Sequence, residues 1–311
     1  MLPRVSRQPL AVALPLLALP LLLARGAAQD TPPVTPASVA ESLLAVDRAF
    51  SARAAAQPLV DGLLAMFRDD VIVPGAPGRL HRGTDEVRAY LRQGPDADAR
   101  ASWTPIRAGV SADGRHGFTF GFMTATRADG ATTPLKYMAY WTREDGGWRV
   151  AGYKRARRPD GEAALAVMAP LLPPRLVPPT TDAATRERQR TSLVAAERAF
   201  SDRAQLIGLG PAFREFGAPT AVNMGGPASA PYVVGQDAIA TLIGASSPQP
   251  TSPVEWSTDV ALVASSGDLG ISFGFIRPNA KAPDGAAGPG SPFFTIWHRA
   301  SPEAPWRYVA E

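Results

Sequence analysis

The sequence predicts an α+β chain built from two tandem domains, each an antiparallel sheet with helices N-terminal to it. Three observations carry this. First, the chain repeats itself. Leu44-Ala45-Val46-Asp47-Arg48-Ala49-Phe50-Ser51 returns as Val194-Ala195-Ala196-Glu197-Arg198-Ala199-Phe200-Ser201. Trp103, Phe120-Gly121-Phe122, Trp141 and Trp148 return as Trp256, Phe273-Gly274-Phe275, Trp297 and Trp306. The offset grows steadily from 150 to 158 residues, as it does when insertions fall only in loops. Second, each copy reads as a 3.6-residue periodicity followed by period-two runs, the order of an α+β fold. Third, a stretch holding Pro173-Pro174 and Pro178-Pro179 separates the copies.

Taken in order, residues 38–56 place Leu43, Val46, Phe50 and Ala54 on one helical stripe, with Pro36 and Ser38 as start signals. Residues 59–67 read as a second helix, ended by Asp69-Asp70, with a short strand at Val71-Ile72-Val73 closed by Pro74-Gly75. A helix over 85–91 follows Gly83. Four strands then succeed one another over 102–110, 117–126, 135–143 and 147–154. Asp113-Gly114 and Asp145-Gly146 mark hairpin turns between them. The helices must cover one face of a curved sheet to bury their stripes.

Composition narrows the function classes. The 311 residues are 45% hydrophobic and 19% charged, which is globular. The 32 prolines argue against a helical bundle. The absence of cysteine excludes a disulfide framework, a thiolate metal site and a cysteine nucleophile. Arg4 and Arg7 precede an apolar run over 10–23, followed by Gly26-Ala27-Ala28. The run is shorter than the roughly 20 residues that span a bilayer, so residues 1–28 read as a signal peptide. Its loss takes Arg4, Arg7 and Arg25 out of a net charge of +4 and leaves the chain nearly neutral. With no basic stripe, no nucleic-acid partner is expected. After signal cleavage no membrane association is expected either, and the protein is read as exported, periplasmic or secreted.

These residues resemble the SnoaL-like, nuclear transport factor 2-like superfamily, the fold also of ketosteroid isomerases, within its uncharacterised exported members. The resemblance rests on Asp47-Arg48-Ala49-Phe50, Phe67-Arg68-Asp69-Asp70 as a helix end, Gly83, Trp103 and the 117–122 strand. It continues through Lys136-Tyr137-Met138-Ala139-Tyr140-Trp141 and Asp145-Gly146-Gly147-Trp148-Arg149-Val150. It implies cone-shaped domains, each a curved sheet wrapped around helices and enclosing an apolar cavity. The domains are expected over 38–158 and 187–311, joined by a Pro-rich linker over 159–186. Members include isomerases, dehydratases, cyclases, binding domains and assembly domains, so fold alone leaves function open.

The resemblance also directs attention to a lysine before the tyrosine of the Lys-Tyr-x-x-x-Trp strand and an acid five residues after the last tryptophan. The first copy has Lys136 but Tyr153 at the acid position. The second has Glu311 but Pro292 at the lysine position. Neither copy keeps the pair, which fits a binding pocket or chemistry divided between unlike copies. Lys136, Tyr153 and Asp47 are the candidate catalytic residues. Met138, Tyr140, Glu197 and Glu311 are the candidate ligand-binding residues. Asp47 and Glu197 are expected at the half-buried edges of their stripes, paired with an arginine or a backbone donor. On the 135–143 strand, Lys136, Met138 and Tyr140 share one face, lining either a cavity or the outer side where such domains pair. His81, His116 and His298 lie too far apart in sequence for a metal motif, and neither metal nor cofactor is expected. The leading function is binding of a small, largely apolar molecule. The alternatives are an isomerase, dehydratase or cyclase using a first-domain acid–base pair, and a ligand-free assembly domain. The two copies are expected to pair as an internal pseudo-dimer, or the chain to form a homo-oligomer. The second copy, without a lysine at position 292, is read as scaffold.

Overall fold

The first copy opens with α1 (Pro36–Ala54), where Thr35 and Ser38 exchange side-chain and backbone hydrogen bonds in a capping box. The helix buries Val39, Leu43, Phe50 and Ala54 along one side. After α2 (Leu59–Leu64), β1 (Phe67–Pro74), β2 (Leu80–Arg82) and α3 (Thr84–Leu91) come four long strands. They are β3 (Arg100–Val110), β4 (His116–Thr126), β5 (Thr132–Glu144) and β6 (Gly147–Arg157). The second copy repeats the order as α4 (Ala183–Ile207), α5 (Leu209–Phe216), β7 (Gly217–Asn223), β8 (Val233–Val234) and α6 (Gln236–Ser246). The strands β9 (Val254–Val263), β10 (Leu269–Pro278), β11 (Ser291–His298) and β12 (Arg307–Ala310) complete it. This computed structural model describes Met1 and residues 33–145, 147–225, 231–280 and 288–311. The expected signal peptide therefore lies outside the described residues, Met1 apart.

Each copy forms one six-stranded sheet, in the orders β2-β1-β6-β5-β4-β3 and β8-β7-β12-β11-β10-β9. The sheets are mixed, not wholly antiparallel as expected, because β1 runs parallel to β6 and β7 parallel to β12. The crossover arises because the meander returns its last strand beside the one that preceded it. A second correction concerns Phe67-Arg68-Asp69-Asp70, which belongs to a strand and not to a helix end. Phe67 pairs with Val150 and sets its ring 5.4 Å from that of Tyr153. Arg68 meanwhile reaches both Asp70 and Thr142 at 2.8 Å. Pairing and packing override the local pattern here.

The two faces of β5 divide the core. Leu135, Tyr137, Ala139 and Trp141 point toward α1. Met138 and Tyr140 point the other way, into an apolar layer shared with Ile271, Phe273, Phe294 and Ile296 of the second sheet. Phe118, Phe120 and Phe122 of β4 join that layer. The sheets thus stack outer face to outer face, with helices on both outsides, inside one compact unit over 34–311.

Polar contacts reinforce the stacking. The Asp113 carboxylate accepts from Ser265 Oγ at 2.8 Å, and Asp268 accepts from the Ala112 amide at 2.8 Å. Buried Arg107 donates to the carbonyls of Ala169 at 3.0 Å and Thr220 at 2.7 Å. The segment between the copies runs beside β3, with Met168 bonding to Ile106, and Leu171 to Ala108 and Val110. Both β3 and β9 carry a bulge opposite a glycine, Gly121 and Gly274. A Cβ at either position would collide with a neighbouring carbonyl, that of Thr104 or Ser257.

Candidate functional site

The deepest polar group of each cone is the acid on its first helix. Asp47 and Glu197 are fully buried, not half-buried as expected for a stripe edge. Their donors are indoles and hydroxyls, not arginines. Asp47 accepts from Trp103 Nε1 at 2.7 Å and the Tyr137 hydroxyl at 2.8 Å. Glu197 accepts from Trp256 Nε1 at 2.8 Å, Trp297 Nε1 at 2.9 Å and Ser272 Oγ at 2.5 Å. Burial pushes both acids above their ordinary pKa, and these donors pull the other way.

Beyond this shared feature the cones diverge. In the first, Tyr137 and Tyr153 stack with ring centroids 6.3 Å apart, and their side chains occupy the interior above Asp47. In the second, the equivalent positions are Phe293 and Glu311. Losing one hydroxyl and one ring opens a cavity of about 220 Å³ lined by Glu197, Phe200, Phe213, Trp256, Phe293 and Glu311. It shares Phe213, Ile243, Phe293, Thr295 and Glu311 with an adjoining space of about 410 Å³. That space reaches Asn223, Met224 and, from the first domain, Lys154. This cavity therefore lies in the copy read as scaffold, where Phe293 and Glu311 stand in place of Tyr137 and Tyr153. The first domain has its own hollow of about 310 Å³ between Tyr90, Leu91 and Tyr153, also bordered by Lys154.

Glu311 carries the electrostatic signature of this cavity. Its Oε1 accepts from Asn223 Nδ2 at 2.5 Å. Burial raises its pKa to about 7, against the pull of Asn223 and Lys154, and the Glu197 charge adds to the rise. Lys154 is shifted down by burial and supported by Glu311. Burial raises the Tyr308 phenol at the same end of the cone.

The remaining sequence candidates fall elsewhere. Lys136 and Tyr153 sit on opposite faces of the first sheet, so they cannot form an acid–base pair. Tyr153 points into the cone, whereas Lys136 is buried on the outer face and donates to the Met224 carbonyl. Burial, and then the neighbouring Lys154, lower the Lys136 pKa. Met138 and Tyr140 face the sister sheet, where the Tyr140 hydroxyl lies 2.9 Å from His116 Nδ1. They are packing residues and not cavity lining, since sheet stacking claims that side of β5. His81 stacks on Tyr90 at 4.0 Å and bonds to Glu86. Among the described residues no group of three His, Asp or Glu side chains is placed to hold a metal ion.

Two cavity residues escaped sequence reasoning. Lys154 pairs with Met138 across the sheet, on a face that also carries Lys136, Met138, Tyr140 and three phenylalanines. A lysine on an apolar strand face is the signal that was available. Asn223, at the end of β7, had none.

Two stacked α+β cones define a tandem-domain protein of the cone-fold class. Residues 46–151, within the first domain, match the model of the SnoaL-like domain family. The second domain repeats its architecture strand for strand. Among solved structures, the chain is similar to a cystatin-like domain of unknown function from Nostoc punctiforme. There the identity is 15%, the TM-score 0.31, and the match covers 40% of this chain and 80% of that one. A ketosteroid isomerase-like protein from Erwinia carotovora is 20% identical with a TM-score of 0.29, covering 39% and 94%. An NTF-2 like protein of unknown function from Shewanella oneidensis is 13% identical with a TM-score of 0.29, covering 39% and 98%. No curated protein matches the chain.

Proposed function

We propose that the chain binds a small, largely apolar molecule in the cavity of its second domain, with the first domain as scaffold. The observation that carries this is the replacement of Tyr153 by Glu311 at the equivalent position. It leaves an aromatic-walled space with a carboxyl group in it, the usual composition of a small-molecule site. Native mass spectrometry of the purified chain, before and after denaturation, tests it. The expected result is a small molecule released on unfolding, and its loss in Ile276→Trp, which fills the cavity wall. Equal retention by that variant would place the ligand elsewhere and overturn the reading.

A second reading, an isomerase, dehydratase or cyclase, is favoured by one observation. A carboxyl group titrating near 7 beside apolar walls can take and return a proton at neutral pH. Its centre would be Glu311, with Glu197 behind it, and not the first-domain pair. Turnover of a bound ketone followed by deuterium exchange at the adjacent carbon, absent in Glu311→Gln, would support it. Export remains part of the proposal on the strength of the arginine-led apolar leader. No described helix is long and apolar enough to cross a membrane. Cell fractionation with N-terminal sequencing checks it, and a mature chain beginning before residue 10 would refute it.

A further inference from the structure

We infer that the ligand of the second-domain cavity is an apolar molecule with an anionic carboxylate head, held between Lys154 of the first domain and Glu311 of the second. This rests on the cavity reading above and adds the chemistry of the head group and the need for both domains.

The argument starts from Lys154. It leaves the outer face of the first sheet and enters the wall of the 410 Å³ space with Asn223, Met224 and Glu311. Among the described residues it has no hydrogen-bond partner, and no acid lies within ion-pair distance, although Glu311 is close enough to support its charge. Lys154 is half-buried, so its ammonium is only partly hydrated and has no bonded counter-charge, and a ligand anion would supply one. Glu311 spends one oxygen on Asn223, which leaves the other facing the cavity. In its protonated form that oxygen can donate to a ligand carboxylate, so the acid and the lysine serve one head together. The titratable groups that line the two joined spaces are Lys154, Glu197 and Glu311, with Lys136 bonded behind Met224 and the Tyr308 hydroxyl bonded to the Phe213 carbonyl. Burial favours the neutral forms of both acids, which leaves Lys154, itself shifted down by burial, as the cation that an anionic head would meet between apolar walls. The apolar part of the molecule has Phe213, Ile243, Ile276 and Phe293 to lie against. The first domain is therefore a contributor of one ligand-binding side chain as well as a scaffold.

The experiment uses the full chain and three probes of equal length, octanoate, 1-octanol and 2-octanone, titrated by calorimetry at pH 6. Octanoate is expected to bind at least tenfold more tightly than the other two. Lys154→Met should abolish that preference, bringing octanoate to the affinity of octanol, and Lys154→Arg should restore most of it. Equal affinity for all three probes would overturn the head-group assignment but leave the cavity reading standing. A preference that survives in a folded Lys154→Met would do the same. Failure of every probe to bind, or binding untouched by Ile276→Trp, would instead overturn the cavity reading, and this inference with it.

Discussion

Asp47 and Glu197 show how much a single buried acid can organise. Each collects an indole N–H and at least one hydroxyl, so removing it strands several buried donors at once. Asp47→Ala is expected to cost about 2–4 kcal/mol of stability, a sum of unsatisfied buried groups, measured by urea denaturation. Glu311 makes a different prediction, about pH. Its pKa in the folded state, about 7, lies above the ordinary 4.5, so the folded chain holds a proton that the unfolded chain releases. That contribution to stability is complete below pH 4.5 and is lost as pH rises through 7. One pKa unit corresponds to about 1.4 kcal/mol, which sets a ceiling near ~3 kcal/mol. The slope of stability against pH between 5 and 7.5 should therefore flatten in Glu311→Gln. An unchanged slope would assign the titration to another group.

At the scale of elements, the bulges opposite Gly121 and Gly274 bend the long strands of both sheets at equivalent places. A methyl group there has carbonyl oxygen in its way, and backbone cannot yield as a side-chain tip can. Gly121→Ala is expected to destabilise by about 2 kcal/mol or more, at the level of an overpacked core position, and thermal melting would show it. Much at this scale was legible in sequence. The apolar stripe of α1, the period-two runs of β3 to β6 and the hairpin at Asp113-Gly114 are local patterns with local causes. Residues Phe67–Asp70 were not legible, because a partner strand some eighty residues further along makes them a strand. Nor was the outer role of Met138 and Tyr140. Alternation says that they share a face, but docking of the sister sheet decides what that face meets. The site was legible as to its acids and illegible as to its domain. Glu197 and Glu311 stand out in sequence, yet only the stacked rings of Tyr137 and Tyr153 show why the space beside the buried acid opens in the second cone.

At the scale of the whole molecule, the layer between the sheets should make the two halves unfold together. Phe273 and Phe294 pack there edge to face, with centroids 5.5 Å apart. Phe273→Asp would bury an unpaired charge and is expected to cost more than about 3 kcal/mol. A wild-type chain that unfolds in two separated steps by calorimetry would show that the layer does not couple them. The segment between the copies has a further consequence. By bonding along β3 through Met168 and Leu171, it occupies the free margin of the first sheet. Among the described residues the corresponding margin of the second sheet, on β9, pairs only with β10, and it carries exposed Glu255 at its start. One end of the stacked pair is thus sealed by its own chain, and the other carries a charge that discourages strand addition. A tandem joined in this way cannot add a strand along that stretch of β3, so the tether also limits edge-to-edge association there.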